Sequence, residues 1–266
     1  MHHKGANRMS SRPEFFTALQ APGMLAIAHR GAGDVAPENT FAAFQAAVDL
    51  GYFCLETDVQ TSRDGTCYVF HDATLKRLTG EKGRIDDLPD AVIDKLRVYG
   101  AHSIPKLKDL FEAFPDTLFS LDAKTPAAAE PMANLILEMN RKAQVSVGSI
   151  NDARTKSMLD ILGPDTCHPP GLRGIMRFFI ASKLGLDPRL ETNFWQVPIW
   201  YYGVRLVSAK TLEFSKDHGL KTHVWTVNDQ PTICKLIALG VDGIMSDDCG
   251  LLKSELISAG LWQGQK

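Results

Sequence analysis

The feature that most constrains this chain is a rhythm. From Leu25 onward, short apolar runs of three to six residues alternate with stretches of helical period. Alternation of this kind builds βαβ units around a parallel sheet. Eight such runs occur, at 25–29, 54–59, 118–123, 145–148, 166–168, 195–198, 222–227 and 243–246. Eight strands within 266 residues fit a closed TIM (β/α)8 barrel better than an open doubly wound sheet. No glycine-rich nucleotide fingerprint follows any of the runs, which argues the same way.

Helical patterns are expected at 40–50, 127–142, 152–162, 172–184, 209–218 and 230–239, with a last helix after Gly250. Thr40 and the pair Asn151-Asp152 stand where helix N-caps are wanted. Residues 1–22 read as a polar leader with one helical turn near 15–19, and 23–266 as a single barrel domain. The stretch of about 72–117 is too long for one helix and carries Gly80, Gly83, Pro89, Gly100 and Pro105. It reads as an insertion after the second strand, of the sort that often serves a site.

Charge excludes one class of partner. With 29 basic against 31 acidic residues and no long basic run, the chain has no electrostatic footprint for nucleic acid. Five cysteines without a CxxC pair read as reduced, mostly buried thiols, which places the protein in the cytoplasm. No apolar run reaches membrane-span length, and the N-terminus lacks the apolar core of a signal peptide.

In a barrel of this kind, polar groups at the carboxyl ends of strands form the active site. The first run ends in His29-Arg30-Gly31: a proton carrier, a planar cation suited to phosphate, and a residue that lets a ligand approach the backbone. A histidine at a strand end is as often a purely structural group. In the second run Glu56 and Asp58 are two apart and so face the same side. If that side is the barrel interior, two carboxylates converge and want a hard cation, Mg²⁺ or Ca²⁺, between them. If it is the outside, Leu55 and Val59 must point inward instead. A turn at Arg63-Asp64-Gly65 leads to a short run that ends in His71, a second candidate proton carrier. Asp122 and Lys124 share one side of the third main strand, either as metal ligand and phosphate contact or as a simple ion pair. Trp225 and Asn228 end a later run, where they line a pocket or pack in the core.

The ordered set His29-Arg30-Gly31, Pro37-Glu38-Asn39-Thr40, Glu56-Thr57-Asp58-Val59, Asp64-Gly65 and His71-Asp72 resembles the signature of glycerophosphodiester phosphodiesterases. Ile104-Pro105, Trp225-Thr226-Val227-Asn228 and the run from Gly240 to Asp247 look like that family's later motifs, so the resemblance spans residues 25–250 or so. It implies a TIM barrel and an acid–base pair, His29 and His71. It implies a divalent cation, Mg²⁺ or Ca²⁺, on Glu56 and Asp58. Phosphate and substrate contacts would come from Arg30, Lys124, Glu38, Asn39 and Trp225. The family usually carries a glutamate where this chain has Asp122, which is shorter by one methylene, so ligation there is direct or through a water. The implied reaction is metal-dependent hydrolysis of a small glycerophosphodiester to glycerol 3-phosphate and an alcohol. A lysophospholipase D reaction yielding lysophosphatidic acid, or a barrel that binds phosphodiesters without turnover, are the alternatives.

The run 172–180 is apolar on more than one side. Leu172, Ile175, Met176 and Phe179 are expected to pack on the barrel. Phe178 is then left outward near Arg173 and Arg177, where it either meets an amphiphile or packs under a loop.

Overall fold

The computed structural model describes residues 14–192 and 194–264. In chain order, the first part of the barrel is helix α1 (Phe15–Gln20), strand β1 (Leu25–His29), α2 (Phe41–Asp49), β2 (Cys54–Thr61) and β3 (Cys67–Val69). Short helices α3 (Lys76–Thr79) and α4 (Asp90–Ile93) follow, then α5 (Leu107–Ala113), β4 (Leu118–Ala123), α6 (Pro126–Glu138), β5 (Val145–Gly148), α7 (Asp152–Leu162) and α8 (Leu172–Leu184). The rest comprises β6 (Phe194–Pro198), β7 (Trp200–Tyr201), β8 (Val204–Arg205), α9 (Ala209–Asp217), β9 (Lys221–Trp225), α10 (Gln230–Leu239), β10 (Gly243–Ser246) and α11 (Cys249–Ser258).

Seven strands run parallel in the order β5-β4-β2-β1-β10-β9-β6, curled with helices outside as a TIM barrel. The eighth position, expected at 166–168, is reduced to one parallel bridge between Ser146 and Cys167. Pro169 and Pro170 follow at once, and proline cannot donate to a ladder, so the strand stops there. A hydrogen bond from the Thr192 hydroxyl to the His168 carbonyl joins this position to the approach to β6.

Side-chain parity decides which residues face the barrel interior, because neighbours along a strand point to opposite sides. Leu25 and Ile27 of β1, Cys54 of β2, Leu118 of β4, Phe194 of β6 and Met245 of β10 belong to one inner cluster. Ala26, Ala28, Leu55, Val59, Phe119 and Leu121 belong to the larger cluster under the helices. His29, Glu56, Asp58 and Asp122 therefore carry the inward parity at the carboxyl ends of their strands.

The stretch expected as a polar leader does more than that over its described part. Phe15, Ala18 and Leu19 of α1 are buried in the inner cluster, with Phe15 stacked on Phe194. Strand β3 pairs antiparallel with β2, and its Tyr68, with Phe70 beyond it, joins Leu75, Leu78, Ile85, Ile93, Val98 and Ile104 of the insertion in a separate small core. All five cysteines are free thiols, four of them buried and Cys234 exposed. Among the described residues no helix is long and apolar enough to cross a membrane.

Helix α8 corrects the expectation for Phe178. That residue is 0 % exposed. Its ring lies 4.3 Å from Trp195 and 5.3 Å from Phe214, so it is the anchor between α8, β6 and α9, and it faces no ligand. The buried face is Ile175, Phe178, Ala181 and Ser182, whereas Met176 and Phe179 are only partly covered. Phe178→Ala is expected to destabilise the protein by about 3–5 kcal/mol, the usual cost of truncating a buried aromatic. Urea denaturation checks this, and a loss below about 1 kcal/mol would contradict the packing described.

Candidate active site

The register of the sheet assembles the site. His29 pairs with Glu56 across β1 and β2, and Asp58 pairs with Asp122 across β2 and β4. All four side chains thus meet at one end of the barrel. Gly31 makes the turn after β1 possible. It sits at φ 84°, and a Cβ there would lie 2.6 Å from the Ala43 carbonyl carbon of α2. Thr40 caps α2 by accepting from the Ala43 amide, which fixes the loop carrying Glu38 and Asn39.

Each histidine has a carboxylate on its Nδ1. For His29 it is Asp247, at 2.6 Å, and for His71 it is Asp72, at 2.8 Å. His29 Nε2 lies 3.7 Å from Glu56 Oε2. Burial disfavours the imidazolium of His29, but Glu56 and Asp247 outweigh it, and the net shift of its pKa is upward. Asp247 is itself held by the Asn228 amide at 2.6 Å.

Arg30 stands between two carboxylates, its Nε 3.1 Å from Asp58 and its Nη1 2.9 Å from Glu38. Asp58 is fully enclosed. It accepts from Asn39 Nδ2 at 3.0 Å and lies 2.7 Å from Lys124 Nζ, which is also 2.7 Å from Asp122. Burial opposes ionisation of Asp58, yet Lys124 and Arg30 hold its carboxyl below the ordinary range. Glu56 moves the other way, pushed up by burial and by Asp58. Asn39 is buried, and its amide oxygen accepts from Thr57 while its nitrogen serves Asp58. It thus holds the carboxylate of Asp58 in place. Trp225 is half-buried at the end of β9, beside the inner cluster.

A further residue was not foreseen. Arg77 of α3 donates to Glu38 at 2.9 and 2.7 Å and to Asp72 at 2.6 and 2.8 Å. It holds the Asp72 carboxyl down at about 2, with burial opposing. Glu38, His71 and Asp72 bring ligand atoms within 4.8 Å of one another, as a metal site would. The guanidinium of Arg77 already bonds both carboxylates there and supplies the positive charge. Of these partners, Asp72 and Asp247 stand inside motifs that the sequence displays, but their contacts to the histidines do not show in spacing. Arg77 carries no signal beyond lying six residues past His71.

Carboxylates, imidazoles and basic side chains gathered at the carboxyl face of a TIM barrel suit an enzyme that acts on a phosphate ester. The glycerophosphoryl diester phosphodiesterase family model matches residues 29–164 and 186–251. The chain is 31% identical over 252 residues to the Mycobacterium tuberculosis protein named "Probable glycerophosphodiester phosphodiesterase 2", covering 92% of this chain and 96% of that one. It is 27% identical over 262 residues to mouse "Lysophospholipase D GDPD1", covering 83% and 82% of the two chains. Among solved structures, an Oleispira antarctica phosphodiesterase in complex with the product sn-glycerol-3-phosphate superposes with a TM-score of 0.73. That match has 23% identity and covers 90% of this chain and 99% of the other. The chain belongs to the glycerophosphoryl diester phosphodiesterase family. Its activity is that of a glycerophosphodiester phosphodiesterase.

Proposed function

We propose that this enzyme hydrolyses small glycerophosphodiesters to glycerol 3-phosphate and an alcohol, with His29 and His71 as its acid–base pair and a divalent cation on Glu56, Asp58 and Asp122. The observation that carries the reading is the matched pinning of both imidazoles. A carboxylate on Nδ1 fixes each ring and leaves Nε2 to take or give a proton. One histidine removes the proton of the glycerol hydroxyl next to the phosphate. That oxygen bonds to phosphorus as the bond to the alcohol breaks, and the other histidine protonates the departing alcohol. Water then opens the cyclic phosphate with the two roles exchanged.

The carboxylate oxygens of this set are of the kind that suits a hard cation. Glu56 is buried with the Arg30 backbone amide on its Oε2, and Asp122 Oδ1 is buried without a hydrogen-bond partner. Bound there, Mg²⁺ or Ca²⁺ would neutralise charge gathering on the phosphoryl oxygens. Arg30, held by Asp58 and Glu38, is preorganised to meet the phosphate, and Lys124 adds a second positive charge. The free thiols support action in a reducing compartment, the cytoplasm.

The Oleispira antarctica protein's product and the Mycobacterium tuberculosis relative support the small-diester reading. The named activity of the mouse relative supports lysophospholipids as a second substrate class. The test is a panel of glycerophosphocholine and lysophosphatidylcholine. Release of glycerol 3-phosphate from the first is expected to exceed release of lysophosphatidic acid from the second. Turnover of lysophosphatidylcholine alone would reverse the assignment.

A further inference from the structure

Helix α8 has a second apolar face that the described residues cover only in part. Leu172, Met176, Ile180 and Leu184 recur every four residues and form one ridge along the helix. Ile180 is 51% and Leu184 65% exposed, and Leu186 just beyond the helix is exposed too. Arg173, Arg177 and Lys183 lie exposed on the same helix, which carries no acidic residue. That excess is local, because the whole chain has a net charge of −2. A groove of 470 Å³ runs between Met176, Ile180 and Leu186, with Arg173, Arg177 and Asp187 in its lining.

Both ends of α8 are tied to residues that follow the carboxyl ends of strands. The Leu172 amide donates to the Ile150 carbonyl, two residues past β5, and Ile150 is itself exposed. Lys210, in the first turn of α9, reaches the Lys183 carbonyl. The ridge therefore stands beside the mouth of the barrel. The β7–β8 hairpin follows the carboxyl end of β6 and stands at that same face. It exposes Trp200, Val204 and Tyr202, the last to 92%. Arg205 lies 6.0 Å over the Trp200 ring.

We propose that the outer ridge of α8 and the β7–β8 hairpin form a docking surface for an anionic lipid membrane. An aliphatic ridge flanked by Arg173, Arg177 and Lys183, which outnumber the one acidic residue of the groove, Asp187, suits acyl chains beneath anionic headgroups. Exposed Trp and Tyr rings with a neighbouring arginine suit the headgroup layer. Docked this way, the mouth faces the bilayer, where amphiphilic phosphodiesters would be met; that last step alone rests on the proposed reaction.

The experiment is co-sedimentation of the full chain with phosphatidylcholine vesicles, with and without phosphatidylglycerol. Binding is expected on the phosphatidylglycerol vesicles only, and it should weaken as salt is raised. The double variant Ile180→Ser with Leu184→Ser should lose affinity on the order of tenfold or more, given the apolar surface removed. Arg173→Glu with Arg177→Glu should lose it as well. Hydrolysis of glycerophosphocholine, read on the same preparations, should stay at the wild-type rate in the double variant. Absence of hydrolysis in wild type would overturn the reaction and leave the docking result standing. Failure of wild type to bind anionic vesicles overturns the proposal, as does equal binding by both surface variants. A wild-type dimer that the double variant converts to monomer, with no vesicle binding, would assign the face to a second copy of the chain.

Discussion

His29→Ala and His71→Ala are each expected to lower kcat for glycerophosphocholine by roughly 10²–10⁴-fold, the range for losing a general acid or base. Both variants should stay folded. His71 is half-exposed, and Asp72 keeps its two bonds to Arg77 when the imidazole is gone. His29 is more enclosed, but Asp247 retains Asn228 as a partner. Initial rates of glycerol 3-phosphate release give the loss, and near-ultraviolet circular dichroism checks the fold. The double variant should fall little below the worse single one, because residues acting as one unit are far from additive. Near-normal turnover in either single variant would refute the pairing and leave the carboxylate on that imidazole as a mere structural contact.

Exhaustive chelation is expected to remove activity by on the order of 10²-fold or more, since a cation at developing phosphoryl charge contributes several kcal/mol. Mg²⁺ or Ca²⁺ added back should restore it. Asp122 is the ligand to vary, because its register partner Asp58 is already enclosed by Arg30, Lys124 and Asn39. Asp122→Ala should weaken metal affinity, so that the rate needs more metal, and Asp122→Glu should retain activity by restoring the longer reach. Metal titrations of the rate in the three proteins make the comparison. Full activity in chelator would end the metal reading. An unchanged metal requirement in Asp122→Ala would remove that residue from the site.

The barrel was legible because its code is local. Period-two parity put Glu56 and Asp58 on one side, and Leu55 and Val59 proved to be the residues under the helices. Caps were equally local: Thr40 and Asn151 both accept from the first turns of their helices. The fifth strand was harder, since three residues before two prolines can form no more than a bridge. In α8 periodicity could not choose a face, because the helix is apolar nearly all round. The choice was made by Trp195 and Phe214, which are distant in sequence and receive Phe178. The same distance hid Asp247, which is 218 residues from its partner His29. The resemblance implies a substrate contact for Asn39, which spacing alone does not check. Its burial against Asp58 and Thr57 is a tertiary fact.

Arg77 belongs to a helix whose neighbours Leu75 and Leu78 anchor the insertion's separate small core. Its four bonds to Glu38 and Asp72 make His71 and Arg30 depend on that small core staying closed. Apparent turnover is then the intrinsic rate multiplied by the fraction of molecules in which the insertion is shut. A small unit with a separate core is expected to open at lower free energy than the barrel around it. On heating, the enzyme would therefore fall silent while its barrel is still intact, and recover on cooling.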